Sequence, residues 1–138
     1  MIAYLDSSVF LRFVLGQVDV LKEWRSVTHP LASALVKLEC LRTLDRVRLR
    51  GGISVEDLAT TRSRVFHLLR SVELLDVSEY VLDRASQPFP TSLGTLDAIH
   101  LATALLWKES HAGALFLATH DSALATAGRA CGLTVIGG

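Results

Sequence analysis

Asp6, Glu39, Asp97 and Asp121 are the residues of this chain whose type and placing could do chemistry. Asp6 directly follows the apolar run Ile2-Ala3-Tyr4-Leu5, and Asp121 stands just past another, Ala114 to Ala118. Asp97 lies inside Leu96-Asp97-Ala98-Ile99-His100-Leu101-Ala102, with apolar neighbours on most sides. Glu39 sits at i+4 from Leu35 and i+3 from Val36, so on a helix it shares their face. Taken singly, each has an ordinary role. An Asp at a helix N-terminus caps backbone N–H groups and complements the helix dipole, and Glu39 could pair along its own helix with Arg42 or Thr43. Those roles leave Glu39 beside core positions and Asp97 within an apolar stretch without explanation. Carboxylates in such surroundings need a partner. For hard oxygen donors that partner is Mg²⁺ or Mn²⁺ rather than zinc.

The elements that must position these residues follow from apolar runs and stop signals. Ile2–Leu5 predicts a buried strand leading into a helix from Val9 to Val14, ended by Gly16. A second helix is expected over Val18 to Val27, broken by Pro30, and a short strand over Leu31 to Ser33. A long helix from Ala34 to Leu49 stops at Gly51-Gly52. Ser54-x-x-Asp57 resembles a capping box and opens the next helix, to Leu69. Val72 to Val77 predicts a strand, Ser78 caps a helix to Ser86, and Pro88 and Pro90 mark a loop. Gly94-Thr95 opens a strongly apolar helix to Lys108. A strand over Ala114 to Ala118, a helix from Asp121 to Cys131 and a last strand over Leu133 to Ile136 complete the pattern. Alternating strands and helices imply an α/β fold with a mostly parallel sheet. The strands are unbroken apolar runs, as expected when both sheet faces are covered. In such sheets, ligands bind beyond the carboxyl ends of the strands, where Asp6 and Asp121 fall.

Composition narrows the class further. With 138 residues, half of them apolar, the chain can bury a sizeable core as one domain, and its main state is not disorder. No apolar run approaches the length of a membrane span, and no leader peptide is expected. Cys40 and Cys131 form no CxxC pair, so reduced thiols in the cytoplasm are expected. A net charge of zero hides a basic middle: residues 37–70 carry eight bases against four acids, and residues 71–138 three against seven. By itself the basic stretch reads as a solvated helix face before a nucleic-acid site.

Tyr4-Leu5-Asp6-Ser7-Ser8, then Glu39, then Thr95-Leu96-Asp97-Ala98-Ile99-His100-Leu101-Ala102-Thr103-Ala104, then Ala118-Thr119-His120-Asp121 and Gly132-Leu133-Thr134-Val135-Ile136, in this order and spacing, resemble a PIN domain. The size is similar to that of the VapC toxins of prokaryotic type II toxin–antitoxin pairs, and the resemblance covers essentially the whole chain. Its most specific piece is the helix around Asp97 followed by Thr-x-Asp.

The resemblance implies a three-layer α/β/α fold with a central, mostly parallel sheet, as a single domain over residues 1–138. It implies an acidic pocket in which Asp6, Glu39, Asp97 and Asp121 bind Mg²⁺, or Mn²⁺, and carry catalysis, with Ser8 and Thr119 as supporting polar residues. The implied activity is that of a metal-dependent endoribonuclease, the toxin of a VapBC-type pair, acting on tRNA or ribosomal RNA. The implied partners are a VapB-like antitoxin whose C-terminal segment covers the pocket and a second copy in a homodimer.

The residues suit that chemistry. A divalent ion held by carboxylates can acidify water and polarise a phosphate. Gathered carboxylates also repel one another, by roughly 1–4 kcal/mol per pair at ~4 Å, which makes an empty pocket avid for cations. His100, at i+3 from Asp97, reads as a packed, hydrogen-bonded histidine before a ligand or proton relay. His120 reads as exposed, and Cys40 as a small packed residue. A receiver domain would want two adjacent acids after the first strand, and a haloacid-type phosphatase an Asp where Ser8 stands. No GxxxxGK[ST] or GxGxxG motif is present. A non-catalytic PIN-like module binding RNA or protein is the remaining alternative.

Overall fold

The computed structural model describes residues Met1–Gly138. Its five strands are β1 (Ile2–Leu5), β2 (His29–Ser33), β3 (Glu73–Leu75), β4 (Phe116–Ala118) and β5 (Thr134–Ile136). They form one sheet in the order β3-β2-β1-β4-β5, every neighbouring pair parallel. The six helices are α1 (Ser7–Val14), α2 (Leu35–Leu49), α3 (Val55–Leu69), α4 (Glu79–Ala85), α5 (Thr95–Ser110) and α6 (Ser122–Ala130).

Alternation along the strands divides the core into two apolar layers. Ala3, Leu5, Ala32 and Ala118 point to one face, where α1, α2 and α3 supply Val9, Phe10, Val36, Leu44 and Val65. Tyr4, Leu31 and Leu117 point to the other, against Leu101 and Leu105 of α5 and Leu124 of α6. α4 packs on α5 through Val81, Ile99 and Ala102. The result is a three-layer α/β/α sandwich. The central strand is apolar on both faces because both are covered.

The strand order places the site. From β1 the chain adds β2 and β3 on one side of the sheet, then returns to add β4 and β5 on the other. The order reverses between β1 and β4, and the crevice at that point is the expected ligand position. Leu5 pairs with Ala118 at the end of both strands, so Asp6 and Thr119 leave the sheet side by side.

One expected element is replaced. Over Val18–Val27 the structure has a single 3₁₀ turn at Trp24–Ser26. Its apolar residues are taken up separately by tertiary contacts. Leu21 is buried in the core, Trp24 stacks on Phe13, and Val18 is left in solvent. Asp19 holds Arg12 at 2.7 Å, and the terminal ammonium of Met1 donates to the Ser26 carbonyl. A chain tied at several points to α1 and β1 gains more from those contacts than from an isolated short helix. The strands β3, β4 and β5 are each shorter than the apolar runs that contain them, because the ladder ends where pairing ends.

Candidate active site

Asp6 is the N-cap of α1 and is 4% exposed. Its Oδ1 accepts the Ser8 amide at 3.1 Å and the Ser8 hydroxyl at 2.5 Å, and its Oδ2 accepts the Thr119 hydroxyl at 2.7 Å. Both hydroxyls have a second task. Ser8 Oγ accepts the His120 amide at 2.9 Å, and Thr119 Oγ1 accepts the Asp121 amide at 3.0 Å. Ser8 and Thr119 therefore tie the start of α1 to the β4–α6 loop through Asp6. Burial pushes the Asp6 carboxyl above the usual range, while these two hydroxyls pull the other way.

Asp121 is the N-cap of α6, accepting the Leu124 amide at 2.8 Å. Asp97 stands in the first turn of α5, whose N-cap is Gly94, and its carboxylate caps nothing. Its pKa is pushed up to about 6, first by partial burial, then by the negative charges of Asp121 and Asp6, with a smaller contribution from Glu39. None of Asp6, Asp97 or Asp121 has a Lys or Arg partner. The four acids thus meet at one end of the sheet, and no Lys or Arg offsets the negative charge of the three aspartates, although the nearby His100 imidazole eases it at Asp6 and Asp97. In this conformation no three acidic, cysteine or histidine side chains converge closely enough to enclose a metal ion.

Glu39 is held differently from the along-helix pairing expected for it. Arg42 turns to Asp45 at 3.3 Å and Thr43 is taken by Arg46 at 3.0 Å. Glu39 Oε1 instead meets His100 Nε2 at 2.5 Å, across from α5. The other imidazole nitrogen, Nδ1, lies 2.7 Å from the Tyr4 hydroxyl, which also accepts the Ser33 amide at 3.1 Å. His100 is thus packed and hydrogen-bonded, as its place in an apolar helix suggests. Burial pulls the imidazole down, but the Glu39 hydrogen bond and charge outweigh it and hold His100 above its usual value.

Tyr4 escaped the sequence analysis, which took it as one apolar residue of a strand. The available signal was its hydroxyl: a tyrosine in a strand covered on both faces must find a partner for its O–H. His120 is half-buried rather than exposed, with Nδ1 2.9 Å from the Gly137 carbonyl, because the tail after β5 folds over this loop. Cys40 is a packed residue, its thiol pushed up to about 12 by burial and by the nearby Glu39 and Asp6.

The basic stretch lies on α2 and α3. Arg42 and Arg48 share Asp45, and Lys37 and Arg62 flank the Phe66 ring at 5.0 and 5.8 Å. Lys37, Arg46, Arg50, Arg62, Arg64 and Arg70 have no carboxylate partner.

A parallel α/β/α sandwich with acidic side chains gathered at its topological switch point defines a class of acidic-site α/β domains. The chain belongs to the PIN domain family, whose match runs over residues 3–130. It is 35% identical over 136 residues to Ribonuclease VapC46 of Mycobacterium tuberculosis (strain ATCC 25618 / H37Rv), covering 96% of this chain and 95% of that protein. Its fold is shared with a chain of a toxin–antitoxin complex from Klebsiella pneumoniae, at TM-score 0.63, 18% identity and 87% coverage of both chains. It is shared too with a chain of VapBC2 from Rickettsia felis bound to a DNA fragment from their promoter, at TM-score 0.69, 14% identity and coverage of 98% and 97%.

Proposed function

We propose that this chain is a metal-dependent endoribonuclease, the toxin of a VapBC-type toxin–antitoxin pair. The observation that carries this reading is the meeting of Asp6, Asp97 and Asp121 at the switch point with no Lys or Arg against them. The kinship with a protein named a ribonuclease supports the activity, and the fold shared with chains of toxin–antitoxin complexes supports the pairing.

Hard carboxylate oxygens with excess negative charge fit Mg²⁺, with Mn²⁺ as an alternative. Asp6, Glu39, Asp97 and Asp121 would hold it. When bound, such an ion acidifies water and neutralises charge on phosphoryl oxygens. The chain's own residues supply the frame. Ser8 and Thr119 hold both oxygens of Asp6, and Glu39 stands ready to orient a water for attack on phosphorus. The unpaired bases of α2 and α3 attract the RNA backbone, and the negative pocket keeps bare phosphate out until a cation enters.

The substrate under this reading is tRNA or ribosomal RNA, and the partner is a VapB-like antitoxin whose C-terminal segment covers the pocket. The chain acts as one domain, as a homodimer, in the cytoplasm. No helix is long and apolar enough to cross a membrane. A second reading, a non-catalytic PIN-like module that binds RNA or protein, draws on the absence of three side chains converged around one metal position.

Cleavage of total cellular RNA by the purified chain separates the two. Discrete products with Mg²⁺ or Mn²⁺, absent with EDTA and with Asp97→Asn, are expected. Intact RNA together with no Mn²⁺ binding selects the non-catalytic module.

A further inference from the structure

The interior behind the acidic site contains a directed chain of hydrogen bonds that the four carboxylates alone do not require. It starts at the Ser33 amide at the end of β2, passes through the Tyr4 hydroxyl on β1 and the His100 imidazole on α5, and ends on Glu39 of α2. The Glu39 carboxylate only accepts, so Nε2 donates to it, and in the neutral ring Nδ1 is left to accept the Tyr4 O–H while the Tyr4 oxygen accepts the Ser33 N–H. An imidazole whose Nδ1 accepts must carry its hydrogen on Nε2, the nitrogen that faces Glu39 Oε1. Should the ring take a second proton, Nε2 still donates. The hydrogen bond to Glu39 is thus independent of the protonation state of His100.

Position in the sequence makes this chain of contacts specific to the site. Tyr4 is two residues before Asp6 on the same strand, and His100 is one turn after Asp97 on the same helix. Glu39 has no other hydrogen-bond partner in the protein. It is a long side chain with several rotatable bonds, reaching the site from α2, whereas Asp6 is short and held at both oxygens by Ser8 and Thr119. Left alone, Glu39 would sample several rotamers, and a carboxylate that must meet an ion at one place loses affinity when its position spreads. His100 is 1% exposed and the Tyr4 ring is fully buried, so neither can reach solvent or a substrate.

We infer that His100 is a positioning residue that holds Glu39 in the site through Nε2–H, and that Tyr4, fixed by the Ser33 amide, sets the tautomer and orientation of His100. This rests on the metal-dependent reading above and adds to it a device by which β1 and α5, the elements bearing Asp6 and Asp97, also place the acid carried by α2. The buried pair works on the reaction only through Glu39.

The test is Mn²⁺ titration of the protein by calorimetry, with His100→Leu, His100→Gln, Tyr4→Phe, Glu39→Gln and Asp97→Asn beside the wild type. Metal-free melting and the imidazole ¹⁵N spectrum are recorded for each. His100→Leu should weaken Mn²⁺ binding by about tenfold or more, the usual scale for losing the partner of a metal-binding group. His100→Gln keeps an N–H near the Nε2 position and should recover most of the affinity, even where it melts no higher than the Leu variant. The wild-type spectrum should show His100 protonated on Nε2, with that signal displaced in Glu39→Gln and the tautomer preference relaxed in Tyr4→Phe. Equal Mn²⁺ affinity in wild type and His100→Leu overturns the inference, as does a His100 ring protonated on Nδ1 alone. A wild type that binds no Mn²⁺, matching Asp97→Asn, overturns the metal reading itself and the positioning role with it. If His100→Leu does not fold, the Gln and Tyr4→Phe variants and the wild-type spectrum decide.

Discussion

Thr119 Oγ1 donates to Asp6 Oδ2 at 2.7 Å and accepts the Asp121 amide at 3.0 Å, so one buried hydroxyl joins two acids that lie 113 and 2 positions from it in the chain. Thr119→Val keeps the shape and removes both contacts, leaving a buried Asp6 oxygen and a half-buried Asp121 N–H short of a partner. A hydrogen bond to a charged group contributes about 1.5–3 kcal/mol, so unfolding in urea at neutral pH should show a loss of about 2 kcal/mol. A Val variant as stable as the wild type would mean that water replaces the hydroxyl at no cost.

Asp97 makes the metal-free protein sensitive to pH. Its folded pKa of about 6 lies above the ordinary 3.8, so between those values the folded state holds a proton the unfolded state has lost. Stability contributed by this group therefore falls as pH rises from about 4 to about 6, and above that the penalty is present in full. Asp97→Asn removes the ionisation. With the rise to about 6 discounted for solvent around a half-buried group, the Asn variant should gain about 1–2 kcal/mol over wild type in EDTA at neutral pH, with no gain near pH ~4. A gain equal at both pH values would show that the cause is not charge.

Metal addition should act in the opposite direction. Binding to the native state alone stabilises by about 2.7 kcal/mol when the free ion stands at a hundred times its dissociation constant. The wild type should melt several degrees higher with Mn²⁺ than with EDTA, and Asp97→Asn should show much less of that rise. An unchanged rise in the variant would place the ion elsewhere.

The helix that Asp121 caps, α6, is seated tightly on the sheet near its far end. A Cβ on Gly128 would stand 2.5 Å from Leu117 Cδ2 and 3.3 Å from Val135 Cγ2, on strands β4 and β5. Leu117 is fully buried and has little room to turn away. Gly128→Ala gains up to about 1 kcal/mol of helix propensity. Overpacking costs about 1–3 kcal/mol, so the net effect should be destabilisation, measured by urea unfolding, together with weaker Mn²⁺ binding as α6 shifts. Higher stability in the Ala variant would show that the sheet has slack at this point.

Much of the fold was readable along the chain because its determinants are local. Ile2–Leu5 and Phe116–Ala118 are apolar on consecutive positions, a pattern that suits a strand covered on both faces. Ser54 and Ser78 do cap their helices, accepting the Asp57 and Val81 amides. The Val18–Val27 stretch misled because its helical spacing is real, while Leu21, Trp24 and Asp19 are each claimed by a different part of α1 or the core. Local periodicity loses where distant contacts outweigh a short helix.

The alternation of strands and helices was readable along the chain, the Val18–Val27 stretch excepted, and Asp6, Glu39, Asp97 and Asp121 stood out because a charge set beside apolar residues is costly wherever it lands. What surrounds each of them came from the packing of distant elements. Glu39 has Arg42 and Thr43 within reach on its own helix and takes neither, since α5 presents His100 to it from 61 positions away. Tyr4, unremarkable in its strand, becomes the residue that orients that histidine. Such partners are chosen by which faces of which elements the sheet order brings together. That order depends on the packing of two apolar layers, to which residues from the whole chain contribute.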